Sequence, residues 1–198
     1  MKEMKVEITF KLPVLGSLPN DESAYSDFVA VKAPTATTFE DEIESACSDE
    51  YEGRGITVFP KLMDGTPFLY DYQVKGFFKS ACFAKRQISD ESASKKIKAY
   101  KKKIDLLVFI NERKIPLIFD GEIELKSRSL RAQTMQGERI TIATSEMVPE
   151  GTTCQFTVRV LDDSLMDAIR EWLDYGQYNG IGCWRNSGMG KFEWREME

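Results

Sequence analysis

A glycine-rich stretch near the carboxyl end carries the clearest candidate chemistry. Residues 179–192 read NGIGCWRNSGMGKF, where two G-x-G units flank a tip with one aromatic and one basic side chain. The glycines are Gly180, Gly182, Gly188 and Gly190, and the tip residues are Trp184, Arg185 and Asn186. Glycines let a backbone adopt positive φ and approach a phosphate closely, while free N–H groups and Arg185 would bind the anion. The spacing matches neither a dinucleotide-binding fingerprint nor a Walker loop, and a tight connection that needs glycine to turn explains the pattern equally well.

A strongly basic segment is the second candidate. Residues 75–103 contain ten lysines and arginines against two acids. The densest part has six lysines around one tyrosine: Lys95, Lys96, Lys98, Tyr100, Lys101, Lys102 and Lys103. Such a cluster can follow a nucleic-acid backbone while the ring stacks on a base. Charge runs are usually solvated, however, and this one could instead pair with the acidic residues 39–52.

A predicted amphipathic helix over residues 71–86 is the third candidate. Its apolar residues recur at helical spacing, with lysines on the other faces. Gly76 within this pattern costs on the order of 1 kcal/mol relative to alanine, which indicates close packing or ligand approach. Gln73 and Lys75 at the start of the helix would suit a phosphate. A solvated basic face over an apolar stripe is an equally good interpretation.

A polar excursion between two predicted strands carries further arginines. Arg128, Arg131 and Arg139 flank residues 133–137, QTMQG. This segment could be a finger that reaches a ligand, or an ordinary surface hairpin.

The composition excludes several kinds of chemistry. The 198 residues include no histidine, so Ser-His-Asp and Cys-His catalysis, histidine-ligated zinc and histidine-dependent ribonuclease chemistry are ruled out. The four cysteines form no C-x-x-C pair, which predicts buried, reduced thiols and no metal or cofactor. The amino end lacks a secretory pattern, and no apolar run approaches the roughly 20 residues of a membrane span. We therefore expect a cytoplasmic protein.

The predicted elements mix strands and helices. Strands are expected at residues 5–11, 55–59, 106–110, 114–119, 122–125, 139–143, 155–161 and 191–195, with 106–119 as a hairpin. Helices are expected at 21–32, 38–47, 71–86 and from Asp162 or Asp163 to Gly176, which would be the C′ residue. Because these elements do not alternate strictly, the fold class is predicted to be α+β.

Three stretches taken together resemble the RAMP superfamily, the ferredoxin-like RNA-binding proteins that include backbone subunits of CRISPR effector complexes. Residues 180–192 are similar to the family's loop of the form G-x-G-x-x-R-x-x-G-x-G. Residues 71–81, which contain Val74-Lys75-Gly76 and follow Pro67, resemble the family segment in which a proline-containing turn leads into a basic helix. Residues 145–156 resemble the V-P-x-G-x-x-F entry into the strand before the last helix.

The resemblance implies one ferredoxin-like (RRM-like) domain over residues 1–198, with an antiparallel sheet, inserted hairpins, a flexible basic insertion at about 88–104 and a C-terminal glycine-rich loop. It implies that Lys75, Lys79, Arg185 and the 180–190 backbone contact RNA, and that residues 127–138 form a thumb-like hairpin. Relatives that process guide RNA depend on histidine, and target-cleaving ones use an aspartate after the first strand, where Asp21 and Asp27 lie.

We therefore predict binding of single-stranded nucleic acid, RNA more than DNA, without catalysis. A CRISPR-type subunit would assemble with copies of itself or with other subunits, and a phage or mobile-element relative could use the same surface. The alternatives are a phage-encoded protein-interaction module, acting as an inhibitor or assembly factor through residues 39–52 and Trp184, and a metal-dependent nuclease.

Overall fold

The computed structural model describes residues 1–20, 56–88, 92–134 and 137–198. Its strands are β1 (Lys2–Phe10), β2 (Val14–Leu15), β3 (Leu18–Pro19), β4 (Ile56–Val58), β5 (Phe68–Tyr70), β6 (Val108–Ile110), β7 (Lys114–Pro116), β8 (Glu124–Thr134), β9 (Gly137–Val148), β10 (Thr153–Val160) and β11 (Phe192–Met197). Its helices are α1 (Asp71–Ile88), α2 (Tyr100–Leu107) and α3 (Met166–Asp174). This mixture of helices with largely antiparallel sheets confirms the α+β class. The helices predicted at 21–32 and 38–47, and the acidic segment 39–52, lie outside the described residues.

The main sheet has four strands in the order β11-β1-β10-β6, and each neighbouring pair is antiparallel. On β1, Val6, Ile8 and Phe10 are fully buried, as the alternating pattern predicts. On the other face Glu7 lies 2.5 Å from Arg195 of β11. Along the chain, the strands of this sheet and the two helices packed on it follow the order β1, α1, β6, β10, α3, β11, which is a β-α-β-β-α-β arrangement.

Helices α1 and α3 cover the buried face of this sheet. The centre of the Phe78 ring of α1 lies 5.6 Å from the ring centre of Trp172 of α3. The ring centres of Phe77 of α1 and Phe192 of β11 are 5.1 Å apart. These large aromatic side chains fill the core at the apolar stripe that the sequence predicts for 71–86. The helix continues to Ile88. Within the described ranges, none of the helices has the length and apolar character needed to cross a membrane.

A long two-stranded ribbon replaces the short strands predicted at 122–125 and 139–143. Strand β8 pairs with β9 over the whole length of β8, and the other edge of β9 pairs with β2 and β4. The base of the ribbon is fixed by Glu146, which is fully buried and accepts a hydrogen bond from the Phe59 N–H at 2.8 Å. The same carboxylate lies 3.0 Å from the Lys61 ammonium, and the Ser145 hydroxyl donates to the Gly16 carbonyl at 3.0 Å.

The predicted hairpin of 106–110 with 114–119 does not form. Strand β6 pairs with β10, whereas β7 pairs with β5. Leu106 and Leu107 belong to α2, so the strand starts only at Val108. Both apolar runs bury side chains in the same core cluster, β6 beside β10 and β7 beside β5, so local spacing alone does not decide the pairing.

Gly176 is the C′ residue of α3, as predicted, because Tyr175 is the C-cap, but it does not have the left-handed conformation common at that position. It lies in a 3₁₀ turn, Tyr175–Gln177, and its φ is not positive. A Cβ atom at this position would lie 2.2 Å from the Phe192 ring, so packing against that ring requires glycine here.

Candidate nucleic-acid interface

A groove of about 330 Å³ opens where three sequence-distant segments meet. One segment is the turn after β2, the second is the first half of α1, and the third is the glycine-rich loop, residues 180–190. The lining includes Ser17, Gln73, Gly76, Ser80, Gly182 and Arg185. Two of the stretches that the sequence singles out, 71–81 and 180–190, therefore share one concave surface.

Backbone contacts shape the base of the glycine-rich loop. The Ile181 N–H donates to the Gly190 carbonyl at 3.0 Å, and a Cβ atom on Gly180 would lie 2.0 Å from that carbonyl oxygen. The Gly190 N–H donates to the Pro13 carbonyl at 2.9 Å, which ties the loop to the segment after β1. A Cβ on Gly182 would lie 2.6 Å from the Leu15 carbonyl oxygen. The fold of the loop itself therefore needs these glycines.

The tip of the loop is held by an arginine from the ribbon. Trp184 has a φ of 54°, a left-handed conformation that is unusual for a bulky residue and costs on the order of 1–3 kcal/mol. The Arg128 guanidinium carbon lies 4.3 Å from the centre of the Trp184 ring, and Arg128 donates to the Ser187 hydroxyl at 2.6 Å. Arg185 and Asn186, which follow Trp184 in a 3₁₀ turn, are exposed. The fixed tip thus presents a cation and an amide to solvent.

Gln73 organises the first turn of α1. Its side-chain oxygen accepts a hydrogen bond from the Tyr70 N–H at 2.8 Å, as in a capping box, and its amide donates to the Ser17 hydroxyl at 2.6 Å. Gly76, one turn later, is exposed, and an ideal Cβ there meets no heavy atom within 4 Å. Packing therefore does not explain Gly76, in contrast to Gly180.

Lys75 and Lys79 leave α1 on the flank that faces α2. The Lys79 ammonium lies 2.6 Å from the Asp105 carboxylate. The Lys75 ammonium lies 3.4 Å from the Asp105 carbonyl oxygen and 4.8 Å from the centre of the Phe109 ring. Burial lowers the pKa of Lys75, and the nearby Asp105 charge partly counters that effect. Neither lysine lines the groove. At 3.6 residues per turn they lie about 100° (Lys75) and about 60° (Lys79) round the helix from Gly76, on the side away from Gln73 and Ser80.

The lysine cluster is defined as Lys95, Lys96, Lys98, Lys101, Lys102 and Lys103. It occupies a 3₁₀ turn (Ala93–Lys96), the short connection after that turn and the start of α2. All of its members except Lys103 are exposed. The segment is anchored by the buried Ser94, whose hydroxyl accepts from the Trp172 indole at 2.8 Å and donates to Glu171 at 2.7 Å. Tyr100 is partly buried, with the Arg86 guanidinium 5.4 Å from its ring centre.

The predicted residues thus form two surfaces on the two flanks of α1. The groove brings Gln73, Gly182 and Arg185 together, with Arg128 and Trp184 beside it. The lysine cluster lies on the other flank, next to Lys75 and Lys79. Arg131 lies farther along β8, where it pairs with Ile140 of β9. Gly188 follows the tip of the glycine-rich loop and has a φ of 87°. The flexibility of 88–104 stays a prediction.

The groove lining also includes Tyr72, Ser17 and Ser80, which the sequence patterns do not single out. Tyr72 and Ser80 are four residues before and after Gly76, so the helical period alone identifies their face. No such periodic signal exists for Ser17, which the chain topology brings to the groove.

In the ranges that the structure describes, no three or more His, Cys, Asp or Glu side chains are grouped closely enough to hold a metal ion. Asp21 and Asp27 lie outside those ranges.

No family model and no curated protein matches the chain. Among solved structures, the chain is similar to one in the cryo-EM structure of the Type III-B Cmr-beta bound to cognate target RNA, with a TM-score of 0.53 and 14% identity. The match covers all of this chain, which spans only 60% of the length of the other. It shows a shared fold, consistent with a RAMP-type fold. Two further likenesses are too distant to support a conclusion: a Type IV-B CRISPR complex (TM-score 0.49, 10% identity, 99% of this chain and 90% of that one) and Thermus thermophilus Cas6 (TM-score 0.37, 13% identity, 98% and 55%).

Proposed function

We propose that this protein binds single-stranded nucleic acid, RNA more than DNA, in the groove between α1 and the glycine-rich loop, and does not cleave it. The proposal treats residues 1–198 as one ferredoxin-like domain, which the β-α-β-β-α-β order supports. The groove itself carries the proposal. It joins an open backbone position at Gly76 to the exposed cation Arg185, and both belong to stretches singled out from sequence alone.

The electrostatics of the main sheet support this choice of surface. RRM domains stack bases on aromatic residues of the open sheet face. Here the corresponding face of β1 carries Glu3, which lies 2.6 Å from Arg159, and Glu7, which lies 2.5 Å from Arg195. Each of these arginines is paired with a carboxylate, which weakens its attraction for a phosphate backbone. The groove lining, by contrast, includes Arg185 and no carboxylate side chain.

The solved structure with the same fold is described as bound to target RNA. This supports RNA as the ligand class. The proposal includes self-association, or assembly with other subunits of a CRISPR-type complex, and this part rests on the family resemblance. An origin in a phage or mobile element is also proposed on the family resemblance alone.

The test is binding of a fluorescent single-stranded RNA, and of the DNA of the same sequence, measured by anisotropy between 50 and 200 mM salt. We expect affinity to fall at least about tenfold over this range, as for about three phosphate contacts. Arg185→Ala should weaken binding about tenfold through the loss of one charge-assisted contact, and Lys101→Glu should weaken it through the lysine cluster.

The matched control is Arg159→Ala, which removes a half-exposed arginine from the open sheet face. It should leave affinity unchanged. Absence of binding to every RNA and DNA tested, or equal losses for Arg185→Ala and Arg159→Ala, contradicts the proposal. Incubation of the labelled RNA with Mg²⁺ or Mn²⁺ tests the second part, since RNA that stays intact agrees with binding alone and defined cleavage products refute it.

A further inference from the structure

Tyr72, the second residue of α1, is an aromatic side chain held rigidly at the edge of the groove. Its ring stacks on Tyr70 with the ring centres 5.0 Å apart and an interplanar angle of 17°. The Arg113 guanidinium carbon lies 5.2 Å from the centre of the Tyr70 ring and 5.3 Å from that of Tyr72. Arg113 is in turn ion-paired with Asp71. Tyr72 is thus fixed by a stacked ring and a cation.

The part of Tyr72 that a ligand can reach is not its hydroxyl. The hydroxyl oxygen is buried, yet the residue is partly exposed and lines the groove. The other aromatic side chain of the lining, Phe77, is only 2% exposed and already packs on Phe192. Within the groove lining, Tyr72 is therefore the aromatic group best placed to meet a ligand.

The chemistry of the lining matches the two parts of a nucleotide. Arg185 supplies a positive charge for a phosphate, and the ring of Tyr72 supplies an apolar surface. A volume of about 330 Å³ is at the lower end of the roughly 300–1,000 Å³ of small-ligand sites, which suits a single nucleotide.

We infer that Tyr72 stacks on a nucleobase of the bound strand, so that the groove recognises bases as well as the backbone. This inference rests on the proposed function. Because the ring is already immobilised by Tyr70 and Arg113, stacking on it loses little side-chain freedom. Purines offer the larger surface and should bind more tightly than pyrimidines at this position.

The experiment compares a single-stranded oligonucleotide with an abasic oligonucleotide of the same length and charge. Wild-type protein should bind the base-bearing strand about tenfold more tightly, within the range measured for aromatic–base stacking. Tyr72→Leu should lose this difference while keeping its affinity for the abasic strand, and Tyr72→Phe should behave as wild type. Tyr178→Leu is the matched control, because Tyr178 is an exposed tyrosine outside the groove lining.

A second readout needs no variant. A 2-aminopurine placed in the strand should lose fluorescence on binding to wild-type protein, since stacking quenches it. If wild type binds both strands equally, or if Tyr72→Leu affects both strands alike and 2-aminopurine is not quenched, the inference about Tyr72 is wrong and the proposed function stands. If neither strand binds, both fail.

Discussion

Replacing Gly76 with alanine should make the protein more stable and a poorer binder. The residue is in the interior of α1, it has no positive φ, and an ideal Cβ meets no atom within 4 Å. The substitution therefore introduces no strain and recovers the cost of glycine in a helix, about 1 kcal/mol. For a chain of this size, that gain raises the melting temperature by roughly 2–4 °C.

The same methyl group would occupy groove surface. Where a ligand backbone approaches Gly76 closely, an added methyl should weaken binding about tenfold, equal to about 1.4 kcal/mol. Thermal unfolding followed by circular dichroism and anisotropy with labelled RNA measure the two effects on one sample. The control is Gln87→Ala, since Gln87 is exposed on α1 but does not line the groove.

Two results would contradict this reasoning. A lower melting temperature for Gly76→Ala means that the fold does require glycine at this position. A higher melting temperature with unchanged affinity means that the ligand does not approach α1 at Gly76, which moves the binding site elsewhere.

Three other changes test different parts of the structure. Gly190→Ala should destabilise the protein strongly, because its Cβ would lie 1.9 Å from the Ile181 carbonyl oxygen, and a thermal melt will show whether the loop instead accepts the methyl group. Glu146→Ala should lower the free energy of unfolding by about 3 kcal/mol in urea titrations, since it removes a buried partner of Lys61. An effect within 0.5 kcal/mol, roughly that of a surface substitution, would show that this pair does not hold the ribbon. Asp105→Asn releases Lys79 from a half-exposed ion pair that is worth at most about 1 kcal/mol. It should tighten RNA binding severalfold at 50 mM salt, and unchanged affinity would place Lys79 outside the ligand's path.

The strongly periodic parts of the sequence predicted the fold well. The alternation of Val6, Ile8 and Phe10 predicted β1, and the apolar stripe of residues 71–86 predicted α1 almost to its ends. The pairing of β6 and β7 was predicted wrongly because two short apolar strands separated by three residues fit a hairpin locally, whereas in the fold each pairs with another strand. Local spacing contains no information on that choice.

The grouping of the candidate site's residues was predictable only in parts. Glycine spacing and Arg185 pointed to the loop, and the misfit of Gly76 in a helical pattern pointed to α1. The separation of the lysine cluster from the groove was not predictable, since charge counted along the chain does not reveal which flank of a helix each lysine occupies. The ammonium groups of Lys75 and Lys79 both contact Asp105 of α2, and these contacts follow only from the packing of α1 against α2.

Helix α1 stands between the groove and the lysine cluster, so under the proposed function one strand would have two surfaces to bind. An oligomer long enough to pass over the helix, which is about 10–12 Å across with its side chains, can contact both flanks. Once such a strand is bound at one flank, its contact with the other flank is intramolecular, and the effective concentration of the strand at that second flank is high. Shorter oligomers reach one flank only. Affinity should therefore rise sharply at the ligand length that is just sufficient to span α1. A substitution on one flank should reduce affinity most for ligands slightly longer than that length.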